Sequence, residues 1–377
     1  MVVVYHTSSL SFVYSCFCYQ KLLLMNKPIH VGIAGFGIAS QVFHAPFLKV
    51  SPHYEVTAVL ERHHEASRAM FPNVQIVRSF EELLQTDADL IVIATPNDTH
   101  FPYAKAALLA GKMVVVDKPF TIRSGEALEL AERAKQTGNL LTVYQNRRYV
   151  ADFMTIQEIL QQHSLGEVHT FEGNYFRYRP EKKPNAWRER PEPGSGILYD
   201  LGPHLIDQCV VLFGLPKYIT ADVRIQRPHA QTDDAFTIVL DYGFLQATLR
   251  AGMLVREHGP RYIIHGTKGS FIKYGDDPQE AKLKNGEMPS ETMGVEDEEV
   301  YGLLHTEDNG AVVKEYVPSK RGNFGLFYEY LYDSIEHNAP LKTTPLQAYN
   351  VIKLIELAFA SSKARCTLPV EGLVDAY

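Results

Sequence analysis

The chain has 377 residues, 45% hydrophobic and 21% charged, a balance that excludes disorder, collagen-like repeats and coiled coil and suits about two globular domains. Lys and Arg total 37 against 44 Asp and Glu, a net charge of −7, so no basic excess marks a nucleic-acid binder. Four scattered cysteines do not make a disulfide framework, and a reducing, cytoplasmic setting is expected.

Residues 1–26 read as an extension outside the fold. The stretch is rich in Val, Leu, Phe and Tyr, yet it lacks the basic start and small-residue cleavage site of a signal peptide. Ser8, Ser9, Ser11, Ser15 and Gln20 interrupt any membrane span. Translation is expected to begin at Met25, and no membrane partner is expected.

From residue 27 to 145 strand and helix signals alternate. Ile29–Ala34, Tyr54–Leu60, Leu90–Ala94, Met113–Val116 and Leu140–Tyr144 are short, β-branched apolar runs, the pattern of parallel strands buried on both faces. Between them Ser79-Phe80-Glu81-Glu82 reads as a capping box. A helix opening at Thr99 stops near Gly111, and Thr121–Thr137 stops at Gly138. The expected fold class is an α/β Rossmann domain, a doubly wound parallel sheet, followed by an α+β domain.

The first strand breaks into Gly35-Phe36-Gly37-Ile38-Ala39-Ser40, the dinucleotide fingerprint with Ser in its third small position. Gly35 serves the tight turn, Gly37 lets the backbone approach a pyrophosphate, and Ile38 and Ala39 open the following helix, whose amides favour an anion. Glu61 ends the second strand about 20 residues on, where a carboxylate can hold the ribose hydroxyls and favour NAD. Arg62, His63 and His64 follow directly, and a cation there can hold the 2′-phosphate of NADP. Both signals are present, and the pattern alone leaves NAD or NADP open.

The second half, 146–377, is strand-rich: Val168–Tyr178, Ile219–Arg227, Ala235–Asp241, Leu245–Arg250, Tyr262–His265 and Phe271–Tyr274, several alternating apolar with polar. A proline-rich loop precedes a helix over Leu201–Phe213, residues 276–299 read as a solvated acidic loop, and Phe324–Glu336 and Pro345–Ser361 close the chain as helices. Asp200 and His204 stand four apart, so a helix would place both on one face. Asp200 is equally suited to capping that helix, and His204 to being a core histidine. Asp207 continues the face, but no Cys or further His completes a site at recognisable spacing, so no metal is expected.

The ordered landmarks GFG at 35–37, TPNDTH at 95–100, DKP at 117–119, YQNRR at 144–148 and GSGILYDLGPHLIDQ at 194–208 resemble the Gfo/Idh/MocA family of nicotinamide-dependent oxidoreductases over residues 27 to about 365. FHAPFL at 43–48, RYRP at 177–180, WRE at 187–189 and RYIIHGTKGSFIKYG at 261–275 look most like the family's NADP-dependent scyllo-inositol dehydrogenase branch. The resemblance implies a second domain with a large open, mainly antiparallel sheet, used for assembly into a homodimer or homotetramer. It also implies that Lys118 is the catalytic lysine, although Asp117 replaces the Glu of the family's E-K-P. His204 becomes the general acid/base and Asp200 a substrate-holding or orienting group.

Thr95, Pro96, Asn97, His100, Lys118 and Asn146 fall where the family contacts cofactor. Tyr175, Arg179, Trp187 and Arg188 are candidates for the substrate pocket beside Lys118, Asp200 and His204; cross-strand packing and solvated arginines account for them equally well. The implied activity is hydride transfer between nicotinamide and a polyol, inositol or sugar, with NADP tipped by the resemblance. Two alternatives stay open: an NAD-dependent glycosidase of the same family, and a non-catalytic nicotinamide-binding regulator.

Overall fold

The structure, a computed structural model, describes residues 27–181, 189–308 and 310–377. Trp187, Arg188 and the 1–26 extension lie outside those residues.

The first sheet holds β1 (Ile29–Ala34), β2 (Tyr54–Leu60), β3 (Gln75–Val77), β4 (Leu90–Ile93), β5 (Met113–Asp117) and β6 (Leu141–Tyr144), in the order β3-β2-β1-β4-β5-β6. All its pairings are parallel. The order reverses between β1 and β4, and a crevice at that switch point is where such sheets bind ligands. Every residue of β4 is buried, so continuous apolar sequence reports helices on both faces. Those helices are α1 (Ala45–Val50), α2 (Phe80–Leu84), α3 (His100–Leu109) and α4 (Ser124–Thr137). Ser79 Oγ accepts the Glu82 amide at the start of α2, and Gly138 ends α4 with a left-handed φ of 71°. The short β3 was not foreseen, because only one of its residues, Val77, is buried.

After α5 (Ala151–Gln161), the second sheet takes in β7 (Val168–Phe176), β8 (Tyr218–Arg224), β9 (Ala235–Asp241), β10 (Gln246–Gly252), β11 (Tyr262–Gly266), β12 (Gly269–Lys273), β13 (Gly302–Asp308), β14 (Ala311–Val317) and β15 (Leu368–Pro369). Its order is β14-β13-β12-β11-β7-β10-β9-β8-β15. Pairings are antiparallel except between β7 and β10. The expected open, mainly antiparallel sheet is therefore present. The β13–β14 hairpin escaped the sequence because β14 is an edge strand with no buried residue to set a pattern.

Helix α6 (Ile197–Phe213) lies on that sheet, burying Leu198, Leu201, Leu205 and Ile206 against it. It begins a turn earlier than Leu201, so Asp200 lies within its first turn and does not cap it. The acceptors at its start come from Asp233, whose carbonyl and carboxylate take the amides of Ile197 and Leu198 at 2.9 and 2.7 Å.

Residues 276–299 are not a solvated loop. They include α7 (Gln279–Lys284), and Asp277, Gln279, Met293 and Glu296 are all buried. Asp277 accepts the amides of Ala151 and Gln279, so acidic side chains there satisfy buried backbone donors. Finally, α8 (Leu326–His337) and α9 (Pro345–Ala364) return to the first half. Tyr328 of α8 packs against Tyr54 and Tyr144, and α9 packs on both α4 and β8.

Candidate active site

One wall of the crevice is the turn after β1. Gly35 has φ 86°, and a Cβ there would come within 2.9 Å of Thr95, so only glycine fits the bend. Gly37 faces open space with no atom within 4 Å of a Cβ position. A side chain there would fill the cradle a pyrophosphate needs. The buried Ser40 hydroxyl donates to the Gly35 carbonyl at 2.5 Å, which gives a physical reason for Ser in the third small position: it ties the turn shut. Ile38 stands exposed beside it. The chain then enters a π-helical turn, Ser40–His44, that runs into α1. These residues fit a dinucleotide.

At the far end of β2, Glu61 turns inward. Its two carboxylate oxygens accept the amides of Ala66 and Ser67, both at 2.9 Å, and only 7% of the residue is exposed. Arg62, His63 and His64 are exposed.

On the other side, Thr95, Pro96, Asn97 and His100 follow β4. The Thr95 and Thr99 hydroxyls meet at 2.5 Å, and buried Asn97 donates to the Gly194 carbonyl at 2.8 Å, joining this turn to the loop before α6. His100 is buried with its ring nitrogens 2.7 and 3.0 Å from the carbonyls of Pro119 and Thr95, so it braces the turn that carries Lys118. Asn146 is buried beyond β6.

Lys118 leaves the end of β5, before a cis peptide to Pro119. Its ammonium donates to the Asp200 carbonyl at 2.7 Å and lies 3.2 Å from Asp200 Oδ1. The other Asp200 oxygen is 3.9 Å from the Arg177 guanidinium. One helical turn on, His204 is buried, with Nδ1 lacking a hydrogen-bond partner among the described residues. Burial, reinforced by Lys118 and Arg147, pushes its imidazole well below the ordinary histidine range against the pull of Asp200. His204 is therefore neutral at pH 7, with a ring nitrogen open to a proton that the site does not favour holding.

Tyr175, from β7, has its ring 6.4 Å from the His204 ring. It lies under two guanidiniums, Arg261 at 3.3 Å and Arg147 at 5.9 Å. Arg147 is buried and ion-paired with Glu280 of α7, which holds the Glu280 carboxyl down to about 2 against its own desolvation. Arg179 is exposed on the rim, its pKa lowered by partial burial and by neighbouring Arg177. Asp207 does not share a ligand set with Asp200 and His204, because Arg148 takes both its oxygens at 2.6 and 2.7 Å.

The structure thus brings Lys118, Asp200, His204 and Tyr175 together and adds four groups that sequence reasoning had not assigned, Arg147, Arg177, Arg261 and Glu280. Arg147 and Arg177 stand inside the landmarks YQNRR and RYRP, so their neighbourhood was visible and their direction was not. Glu280 gave no signal, because its segment reads as solvent-exposed.

A glycine turn at the switch point of a parallel sheet, with a lysine–aspartate pair and a buried histidine gathered at the ends of its strands by a second domain, is the layout of a pyridine-nucleotide oxidoreductase. Residues 29–145 match the NAD-binding Rossmann fold, and residues 157–371 the C-terminal alpha/beta domain, of one oxidoreductase family. The chain belongs to the Gfo/Idh/MocA family, and it is an NAD(P)-binding oxidoreductase. It is 43% identical to the oxidoreductase YdgJ of Escherichia coli, over 91% of this chain and 99% of that one. It is 41% identical to scyllo-inositol 2-dehydrogenase (NADP(+)) IolW of Bacillus subtilis, over 91% and 96% respectively. Among solved structures, the oxidoreductase yvaA of Bacillus subtilis superposes with a TM-score of 0.89 at 40% identity, covering 92% of this chain and 99% of that one. Among the described residues no helix is long and apolar enough to cross a membrane.

Proposed function

We propose that the protein is an NADP-dependent dehydrogenase that oxidises a ring hydroxyl of a cyclic polyol, of the inositol class, and reduces the corresponding ketone in reverse. The observation that carries this reading is the Lys118 ammonium held by both the carbonyl and the carboxylate of Asp200, one helical turn from a neutral, buried His204. When bound, nicotinamide supplies the two-electron hydride acceptor. The chain supplies the rest. His204 takes the hydroxyl proton as general base, and Lys118 places positive charge against the oxygen on which negative charge develops. Asp200 fixes the ammonium, and its carboxylate offers an acceptor to a neighbouring hydroxyl. Arg147 and Arg177 keep the local potential positive, which favours alkoxide over hydroxyl.

The inositol class is supported by the relative named as a scyllo-inositol dehydrogenase at 41% identity. NADP is supported by the inward Glu61: its carboxylate is committed to the amides of Ala66 and Ser67, leaving exposed Arg62, His63 and His64 to meet a 2′-phosphate. The test is a screen of inositols, sugars and acyclic polyols with NAD and NADP in parallel, following the absorbance of reduced nicotinamide. Reduction of NADP by an inositol is expected. Net reduction by none of these substrates, with cleavage of a glycoside instead, overturns the reading in favour of glycoside hydrolysis.

A further inference from the structure

The segment that would meet the adenosine ribose, residues 61–65, has no regular secondary structure, so something else must hold it. One residue does most of this. Arg78 stands just past β3, and one terminal nitrogen of its guanidinium donates to the Glu61 carbonyl at 2.7 Å and to the His64 carbonyl at 2.9 Å. The other donates to Glu65 Oε1 at 2.7 Å. The remaining Glu65 oxygen accepts from Arg68 Nε at 2.9 Å. The Arg78 amide is itself anchored by the Glu82 carboxylate at 2.9 Å. The segment is closed at its far end by the Glu61 carboxylate on Ala66 and Ser67.

Two consequences follow from this geometry. The carbonyls of Glu61 and His64 are tied to one guanidinium nitrogen, which pins the backbone on both sides of Arg62 and His63, and both of those residues are exposed. The negative charge of Glu65, which would repel a phosphate placed near Arg62, is neutralised by Arg68 and Arg78. An exposed ion pair alone contributes little. A planar fork that fixes two carbonyls and a carboxylate at once does something a point charge cannot: it preorganises the segment.

We propose that Arg78 is the positioning residue for cofactor choice: without touching the cofactor, it holds residues 61–65 in the shape that lets Arg62 grip the 2′-phosphate. This rests on the NADP reading above. The test is calorimetric titration of the full chain, as parent, Arg78→Ala and Arg78→Lys, with NADP+ and with NAD+, alongside thermal melts. Arg78→Ala is expected to weaken NADP+ by roughly ten-fold, the order of cost for holding one or two loose side chains, while NAD+ changes less than about two-fold. Lys, which can reach one carbonyl but not span the fork, is expected to fall between. Equal weakening of both nucleotides, or none, overturns the proposal, because a merely structural role lowers the melting temperature without moving the ratio. Full NADP+ preference in Arg78→Lys reduces Arg78 to a charge and overturns it as well. A parent that prefers NAD+ overturns instead the cofactor reading itself, which distinguishes the two failures.

Discussion

The two walls of the crevice are built in opposite ways. The phosphate turn is local: Gly35, Gly37 and Ser40 lie within one strand–turn–helix, and the bond that closes it, Ser40 to Gly35, spans only the turn itself. The opposite wall is assembled from distant segments, with Lys118 from the end of β5, Arg147 from beyond β6, Tyr175 and Arg177 from β7 and its exit, Asp200 and His204 from α6, and Glu280 from α7. Local geometry lets a few residues carry a binding function by themselves. A distributed wall needs both sheets in place before its charges meet, and each charge must be compensated by a partner far along the chain.

The comparison is tested most severely at the chemistry. Lys118→Met or His204→Ala is expected to lower kcat/KM by about 10²–10⁴-fold, with the loss in kcat as well as KM, because the roles proposed for them are exerted mainly in the transition state. The double variant is expected to lose much less than the product of the two, as residues acting on one oxygen do. Steady-state kinetics with the substrate found in the screen, together with NADP binding by titration, decides it. Near-normal turnover in either single variant removes that residue from the reacting centre. Cofactor affinity is expected to hold in His204→Ala and to change far less than turnover in the two variants that lack Lys118, since that side chain is assigned to the nicotinamide end and not to the pyrophosphate or adenosine ribose.

The converse change is Gly37→Val. Gly37 has open space around it, so valine does not collide with the protein; it occupies the cradle. Dinucleotide affinity is expected to drop by about 10²-fold or more, with the melting temperature nearly unchanged, since no native contact is lost. Unchanged affinity by calorimetry would place the pyrophosphate elsewhere.

A change at Glu280 probes the distributed wall through its support. Arg147 is buried and Glu280 is its ion-pair partner. Glu280→Ala removes the ion-pair partner of a buried guanidinium and leaves only the carboxylates of Asp276 and Asp277 to compensate it, at a cost of up to about 3 kcal/mol in stability. Denaturant unfolding should read that loss, and substrate KM should rise while NADP affinity changes little. If stability is unchanged, the pair is a surface-like contact, and the wall is less dependent on long-range compensation than this comparison holds.

The same contrast explains what is legible in the sequence. Parallel strands buried on both faces announce themselves, and Ile29–Ala34 and Tyr54–Leu60 appear with the expected ends. The phosphate turn is legible for the same reason, since its glycines are dictated by backbone geometry within a few residues. Lys118, Asp200 and His204 are legible through the family's landmarks, not through any pattern of their own. Asp200 shows the limit: position suggested a cap, but the acceptors at that helix end come from Asp233, a residue on the approach to another strand. Glu280 and Asp277 look solvated because acidic residues usually are. Only the arrival of Arg147 and of the Ala151 amide explains their burial, and no local pattern encodes an arrival.

The smallest expected effect lies between the two walls, at His44. It follows the phosphate turn, yet it is fully buried, with Nδ1 2.7 Å from the Tyr328 hydroxyl of α8 and Nε2 4.0 Å from Asp117, the residue before Lys118. Burial lowers its pKa from 6.5 to about 4, with Asp117 pulling weakly the other way. Between those values the unfolded chain binds a proton that the folded protein does not, so acid favours unfolding. Its contribution to stability is complete above pH 6.5 and is lost progressively toward pH 4, the loss reaching about 2 kcal/mol at about pH 5. Asp233, pushed up to about 6 by burial, works in the opposite sense, so the parent's pH curve alone mixes the two. The difference between parent and His44→Gln cancels Asp233 and every other shared group. Glutamine can still meet Tyr328 but cannot be protonated, so its unfolding free energy is expected to fall less on acidification, and the two curves should converge as pH drops from 7 to 5. Parallel curves would mean that His44 titrates alike in both states. The junction between the local wall and the distributed one would then be more open to solvent than its burial indicates.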